Sequence, residues 1–151
     1  LVNNAGITRD NLLLRMSEAE WDAVLDTNLK GAFNCCKAAI PHLRTAGSGW
    51  IVNISSLSST GPFPGGAAYV ASKAGVNAFS EALMQELRYD NIRVSCVAPG
   101  SVATDFAHGF EQRKAARPNG LRVVFDELLE IELKALTEPI AVLTHSLRRV
   151  E

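Results

Sequence analysis

Trp50-Ile51-Val52-Asn53-Ile54-Ser55 is the stretch that decides the fold. It is a β-branched run of strand length, too short for a helix, and it feeds a serine-rich edge reaching Thr60. A long helical period follows, from about Ala68 to Tyr89, with Ala71, Ala74, Ala78, Phe79, Ala82 and Leu83 proposed as its apolar face. Asn91-Ile92-Arg93-Val94-Ser95-Cys96-Val97-Ala98 then reads as a second buried strand, stopped by Pro99-Gly100. Upstream, Gly47-Ser48-Gly49 ends a helical stretch over residues 28–44, in which Leu29, Ala32, Phe33, Cys36, Ala39, Ile40 and Leu43 keep the i, i+3, i+4 rhythm. Before it, Ser17 and Glu20 form a capping box that opens a helix through Trp21, Val24 and Leu25. Leu1-Val2 looks like the end of a further strand turning at Asn3-Asn4-Ala5-Gly6. Strands alternating with helices in this order imply an α/β fold with a parallel sheet and right-handed crossovers.

The composition removes several function classes. With 151 residues, 47% of them hydrophobic, the chain has material for one domain around one core. A net charge of −1 without a basic face argues against nucleic acid as a partner, and the cluster Arg113, Lys114, Arg117 reads as a solvated surface. No apolar run approaches the roughly 18 residues of a membrane span, and no signal-like segment opens the chain, so a cytoplasmic protein is expected. Cys35, Cys36 and Cys96 lack the number and spacing of a disulfide framework or a zinc site, so no metal is expected.

The chemistry concentrates at Tyr69-Val70-Ala71-Ser72-Lys73, which sets a phenol and an ammonium on one helical face. A positive charge beside a tyrosine favours phenolate, so a lowered phenol pKa is expected there. Standing alone, such a pair is a common surface accident. Here Ser56 lies thirteen residues upstream at the end of the strand, Asn28 and Asn3-Asn4-Ala5-Gly6 precede it, and Pro99-Gly100-Ser101-Val102-Ala103-Thr104 follows.

This set, in this order and spacing, resembles the short-chain dehydrogenase/reductase family. The opening Asn3 to Met16 is most similar to its 3-oxoacyl-[acyl-carrier-protein] reductases. The resemblance implies a Rossmann-like doubly wound parallel sheet and an NAD(P)-dependent hydride transfer between nicotinamide and a carbonyl or secondary alcohol, with 3-oxoacyl thioester reduction foremost and NADP favoured. It assigns Tyr69 as general acid, Ser56 as the hydroxyl orienting the same carbonyl oxygen, and Lys73 as tuner of the phenol and holder of the nicotinamide ribose. Asn28 matches the family's helix asparagine, which holds a water linking the lysine to solvent; a helix-start cap is the plain alternative. Asn4, Ala5 and Gly6 resemble the loop beside the adenosine ribose, and Pro99, Gly100, Val102 and Thr104 the loop under the carboxamide. A homo-oligomer, dimer or tetramer, is also implied, paired through residues 28–44 and 68–89. His42, His108 and His145 are read as structural or exposed, with His108 in the expected substrate loop.

The resemblance is strong over residues 1–110 and weak over 111–151, where Leu121 to Leu136 reads as an amphipathic helix and Ile140 to Leu143 as a short strand. Among the eleven glycines there is no phosphate-cradling turn of the kind that holds a dinucleotide pyrophosphate. In the resembling family three βα units precede the Asn3–Gly6 strand, on the order of 90 residues at about 30 per βαβ repeat. The sequence therefore reads as the C-terminal portion of one such domain, residues 1–151. Two alternatives stand beside the leading one: a family member acting on another secondary alcohol such as a sugar or steroid, and an inactive truncated fragment or pseudo-enzyme.

Overall fold

The structure, a computed structural model, describes residues 1–100. The expected helix over residues 121–136 and strand over residues 140–143 lie outside the described residues, as do Val102, Thr104, His108 and His145. The described part is a three-stranded parallel sheet in the order β1 (Val2–Asn3), β2 (Gly49–Ile54), β3 (Ile92–Val97). Val2 pairs with Val52, and Ile51 with Val94. Because the strands are parallel and in register, residues 4–6, Ser55-Ser56 and residues 98–100 all leave the sheet at its carboxyl end.

Two crossovers join the strands. The first begins at α1 (Glu18–Leu25), where Ser17 caps Glu20 and the Glu20 carboxylate accepts from the Ser17 backbone at 2.8 Å. That return bond holds the Glu20 carboxyl below its ordinary pKa. Two separate helices were expected, but the chain continues unbroken through a π-helical turn (Asp26–Lys30) into α2 (Gly31–Ala46). The left-handed Gly47, φ 77°, then ends α2. Asn28 therefore sits inside the run and caps nothing, which corrects the capping alternative. The second crossover, α3 (Ala67–Leu87), joins β2 to β3.

Both α2 and α3 pack on one face of the sheet. Cys36, Ile51, Leu83, Leu87, Ile92 and Val94 form the core there, with Ile40, Leu43, Phe79 and Met84 around it. The buried stripe of α3 differs from the alanine-rich face expected from sequence. Ala68, Ser72, Lys73, Val76, Ser80, Leu83 and Leu87 are buried, while Ala78 and Ala82 are exposed. Polar residues can occupy that stripe because each finds a partner: Asn53 Nδ2 donates to Ser80 Oγ at 2.8 Å, Asn53 Oδ1 accepts from Asn3 Nδ2 at 2.7 Å, and Ser80 Oγ donates to the Val76 carbonyl at 2.7 Å. No buried side-chain nitrogen or oxygen among the described residues lacks a partner. The opposite face carries Trp50, whose ring lies 5.4 Å from the Arg93 guanidinium.

Candidate active site

Three loops converge at the carboxyl end of the strands. Backbone bonds lock two of them together, since Ser55 N–H donates to the Val97 carbonyl at 2.6 Å and Leu57 N–H to the Pro99 carbonyl at 3.0 Å. Ser56 thereby sits beside the turn at Pro99 and Gly100. Its hydroxyl accepts from Ser58 N–H at 3.1 Å and hydrogen-bonds the Tyr69 side chain. Ser59 supports this loop by donating to the Ser56 carbonyl at 2.6 Å and accepting from Asn77 at 2.8 Å.

Tyr69 lies on the first turn of α3, four residues after Gly65. The carbonyl of Gly65 accepts from Asn11 N–H at 2.9 Å, and its φ of 87° explains why glycine stands there. Burial pushes the Tyr69 phenol above its ordinary pKa; the Ser56 hydrogen bond pulls it back, and the Asp10 carboxylate adds to the rise. This corrects the lowered pKa expected from the neighbouring lysine. The Lys73 ammonium is 5.8 Å from the ring centroid and points into a bond with the Ile54 carbonyl at 2.7 Å. Lys73 is 4% exposed, and desolvation lowers its own pKa, with the Cys96 thiol opposing. Burial is the largest influence on both groups.

Asn28 and Gly6 complete the cluster. The Asn28 side chain clamps Ile7 from both sides: its Oδ1 accepts from Ile7 N–H at 2.8 Å and its Nδ2 donates to the Ile7 carbonyl at 3.0 Å. The second N–H of Asn28 goes to Ser72 Oγ at 2.9 Å. That clamp brings Gly6 against the helix pair, so that a Cβ on Gly6 would lie 3.4 Å from Asn28 Oδ1 and 3.6 Å from Lys73 Nζ. Asn4 and Ala5 are exposed beside it. The structure thus brings together Gly6, Asn28, Ser56, Tyr69 and Lys73, with Asn4, Ala5, Pro99 and Gly100 on the flanking loops. Sequence reasoning missed Ser72, Ser55 and the Ile54 carbonyl, which hold these residues in place. Ser55 donates to the Lys73 carbonyl at 3.1 Å. A polar residue on a helix stripe that otherwise faces the sheet was the available signal.

A serine, a tyrosine and a lysine held in this arrangement at the carboxyl end of a parallel sheet define a short-chain dehydrogenase/reductase, and the short chain dehydrogenase family profile matches residues 1–115. The chain belongs to that family. It is 53% identical over 109 residues to the 3-oxoacyl-[acyl-carrier-protein] reductase FabG of Chlamydia muridarum, covering 72% of this chain and 44% of the relative. It is also 53% identical over 105 residues to the same-named protein of Staphylococcus aureus (strain Mu50), covering 70% and 43%. The chain thus spans less than half the length of these relatives. A crystal structure assigned as a short-chain alcohol dehydrogenase from Sinorhizobium meliloti 1021 superposes with a TM-score of 0.73 at 40% identity, over 77% of this chain and 46% of that one. Among the described residues, no helix is long and apolar enough to cross a membrane, and no group of His, Cys, Asp and Glu could hold a metal ion.

Proposed function

We propose that this chain belongs to a cytoplasmic NAD(P)-dependent oxidoreductase that reduces a 3-oxoacyl thioester to the secondary alcohol. The observation that carries the reading is the meeting of Ser56, at the end of β2, with Tyr69 and the buried Lys73 ammonium on the first turns of α3. The residues present fit the nicotinamide half of a dinucleotide. The Lys73 ammonium spends one N–H on the Ile54 carbonyl and has two more for a ribose diol, and the bare backbone of Gly6 beside it lets the adenosine-side loop come close.

When bound, such a cofactor supplies the hydride. Tyr69 then gives its phenol proton to the substrate oxygen as negative charge grows on it, leaving a phenolate that solvent reprotonates. Its raised pKa keeps that proton in place at neutral pH. Ser56 orients the same oxygen. By the family resemblance, Lys73 would hold the nicotinamide ribose hydroxyls, Asn4, Ala5 and Gly6 would lie along the adenosine side, and Pro99 and Gly100 would flank the carboxamide. Asn28 fixes the loop that carries Gly6.

The test is turnover by the full-length protein, with NADPH and NADH supplied separately, on an acetoacetyl thioester, a ketosteroid and a ketose. Thioester reduction at ordinary enzyme rates is the expected result. Preference for the ketosteroid or ketose would move the substrate class, and no turnover with any of them would sink the reading.

The same reading includes a homo-oligomer. On the outward side of α2 and α3, Phe33 is 44% exposed, its ring centroid 6.5 Å from that of Phe79, and Ala78 and Ala82 are uncovered small residues that allow close helix approach. Light scattering of the full-length protein at micromolar concentration should give a dimer or tetramer mass. A single-chain mass would count against pairing through these helices.

A further inference from the structure

We propose that Ser72 is a positioning residue that couples the loop of residues 4–7 to the Tyr69 and Lys73 turn of α3. A continuous route of hydrogen bonds carries the coupling. Ile7 is clamped at both N–H and carbonyl by the Asn28 side chain, at 2.8 and 3.0 Å. The remaining N–H of Asn28 donates to Ser72 Oγ at 2.9 Å, and Ser72 Oγ donates to the Tyr69 carbonyl at 2.8 Å. Ser72 is 0% exposed and Asn28 3%.

The hydroxyl at this position is more than a helix filler. Serine is a poorer helix former than alanine, and bonding back to a carbonyl three residues earlier gives the helix nothing that alanine lacks. What the hydroxyl adds is an acceptor for Asn28. Without it, one amide hydrogen of a buried asparagine has no partner, so the side chain is released to seek another and the grip on Ile7 loosens. Gly6 adjoins Ile7 and faces Lys73, so the loosened loop is the one that would meet a ribose.

Ser80 supplies an internal comparison, because it has the same chemistry two turns further on. It too is 0% exposed, donates to a carbonyl of its own helix and accepts from an asparagine of another element. Its asparagine, Asn53, holds Asn3 in the strand and does not touch the loop. Loss of Ser80 should destabilise the fold without specifically freeing Ile7.

The cofactor half of this proposal rests on the oxidoreductase reading, so the experiment has one readout that does not. Hydrogen–deuterium exchange at the Ile7 amide is measured in the full-length protein for wild type, Ser72→Ala, Ser72→Cys and Ser80→Ala, alongside NADPH and NADH titrations followed by fluorescence. In Ser72→Ala, Ile7 exchange should rise at least about tenfold above the change in global opening, and nucleotide affinity should fall about fivefold, the worth of one neutral hydrogen bond. Ser72→Cys, nearly the same size but a weaker acceptor, should move both in the same direction and provides the reading where Ser72→Ala does not fold. Ser80→Ala should change Ile7 exchange only as much as global stability. Unchanged Ile7 exchange in the Ser72 variants, or an equal rise in Ser80→Ala, would overturn the coupling. Faster Ile7 exchange in a protein that binds neither nucleotide would uphold the coupling and overturn the oxidoreductase reading instead.

Discussion

Tyr69→Phe in the full-length enzyme should lower kcat for ketone reduction by about 10² to 10⁴, the range for loss of a positioned general acid, while nucleotide affinity stays within about twofold. The substitution keeps the ring and its packing and removes only the proton and the bond to Ser56. The pH profile of the wild type adds a sharper check. Burial, the largest influence on the phenol, raises its pKa above the ordinary 10.0, so the acid form is the resting form throughout the neutral range. The alkaline limb of kcat/KM, which reports the free enzyme, should accordingly lie above the ordinary phenol range, and alcohol oxidation, which needs the phenolate, should rise along the same limb. An alkaline limb near neutrality would show that Lys73 tunes the phenol after all. Retention of near-normal reduction by Tyr69→Phe would remove Tyr69 from the chemistry.

The reason for the revised pKa shows where sequence reading succeeds and where it stops. Features fixed by neighbours a few residues apart were legible: the Ser17 and Glu20 box, the strand over Gly49–Ile54, the helix stop at Gly47, and the i, i+4 placement of Tyr69 and Lys73. Spacing says that the phenol and ammonium share a face. It does not say that the ammonium is turned toward a carbonyl nineteen residues away, nor how much water either group loses. The α3 stripe fails for the same reason. A rule that sorts residues by hydrophobicity puts Ala78 and Ala82 inside and Ser72 and Ser80 outside, because their partners, Asn28 and Asn53, are 44 and 27 residues distant. The π-helical turn at Asp26–Lys30 was equally hidden, since the periodicity on either side fits two ordinary helices.

Lys73→Met should separate stability from function most clearly. The lysine is 4% exposed and its pKa is lowered by desolvation, so the folded protein holds its charge at a net cost despite the 2.7 Å bond to the Ile54 carbonyl. Methionine fills nearly the same volume without that charge, and the loss of one hydrogen bond, worth about 1 kcal/mol net, opposes the relief of desolvation. Stability at neutral pH should therefore stay within about 1 kcal/mol of wild type, although a buried charged group has been removed. Function should not survive so well, because no ammonium remains to hold the ribose diol. Nucleotide affinity should fall at least about tenfold and kcat with it, in contrast to Tyr69→Phe. The pH dependence of unfolding supplies the sign. A lysine whose folded pKa lies below its unfolded 10.5 binds fewer protons when folded, so its penalty is complete below the folded pKa and fades as pH rises toward 10.5. Tyr69 acts in the opposite direction and later, since a raised phenol pKa stabilises the fold below pH 10 and loses that contribution above it. Denaturant titrations from neutral pH up to about 10 should thus show wild type gaining on Lys73→Met. A gap that stays constant over that range would mean that the lysine is not strained by burial, and an Lys73→Met protein that binds nucleotide like wild type would mean that the ribose contact is made elsewhere.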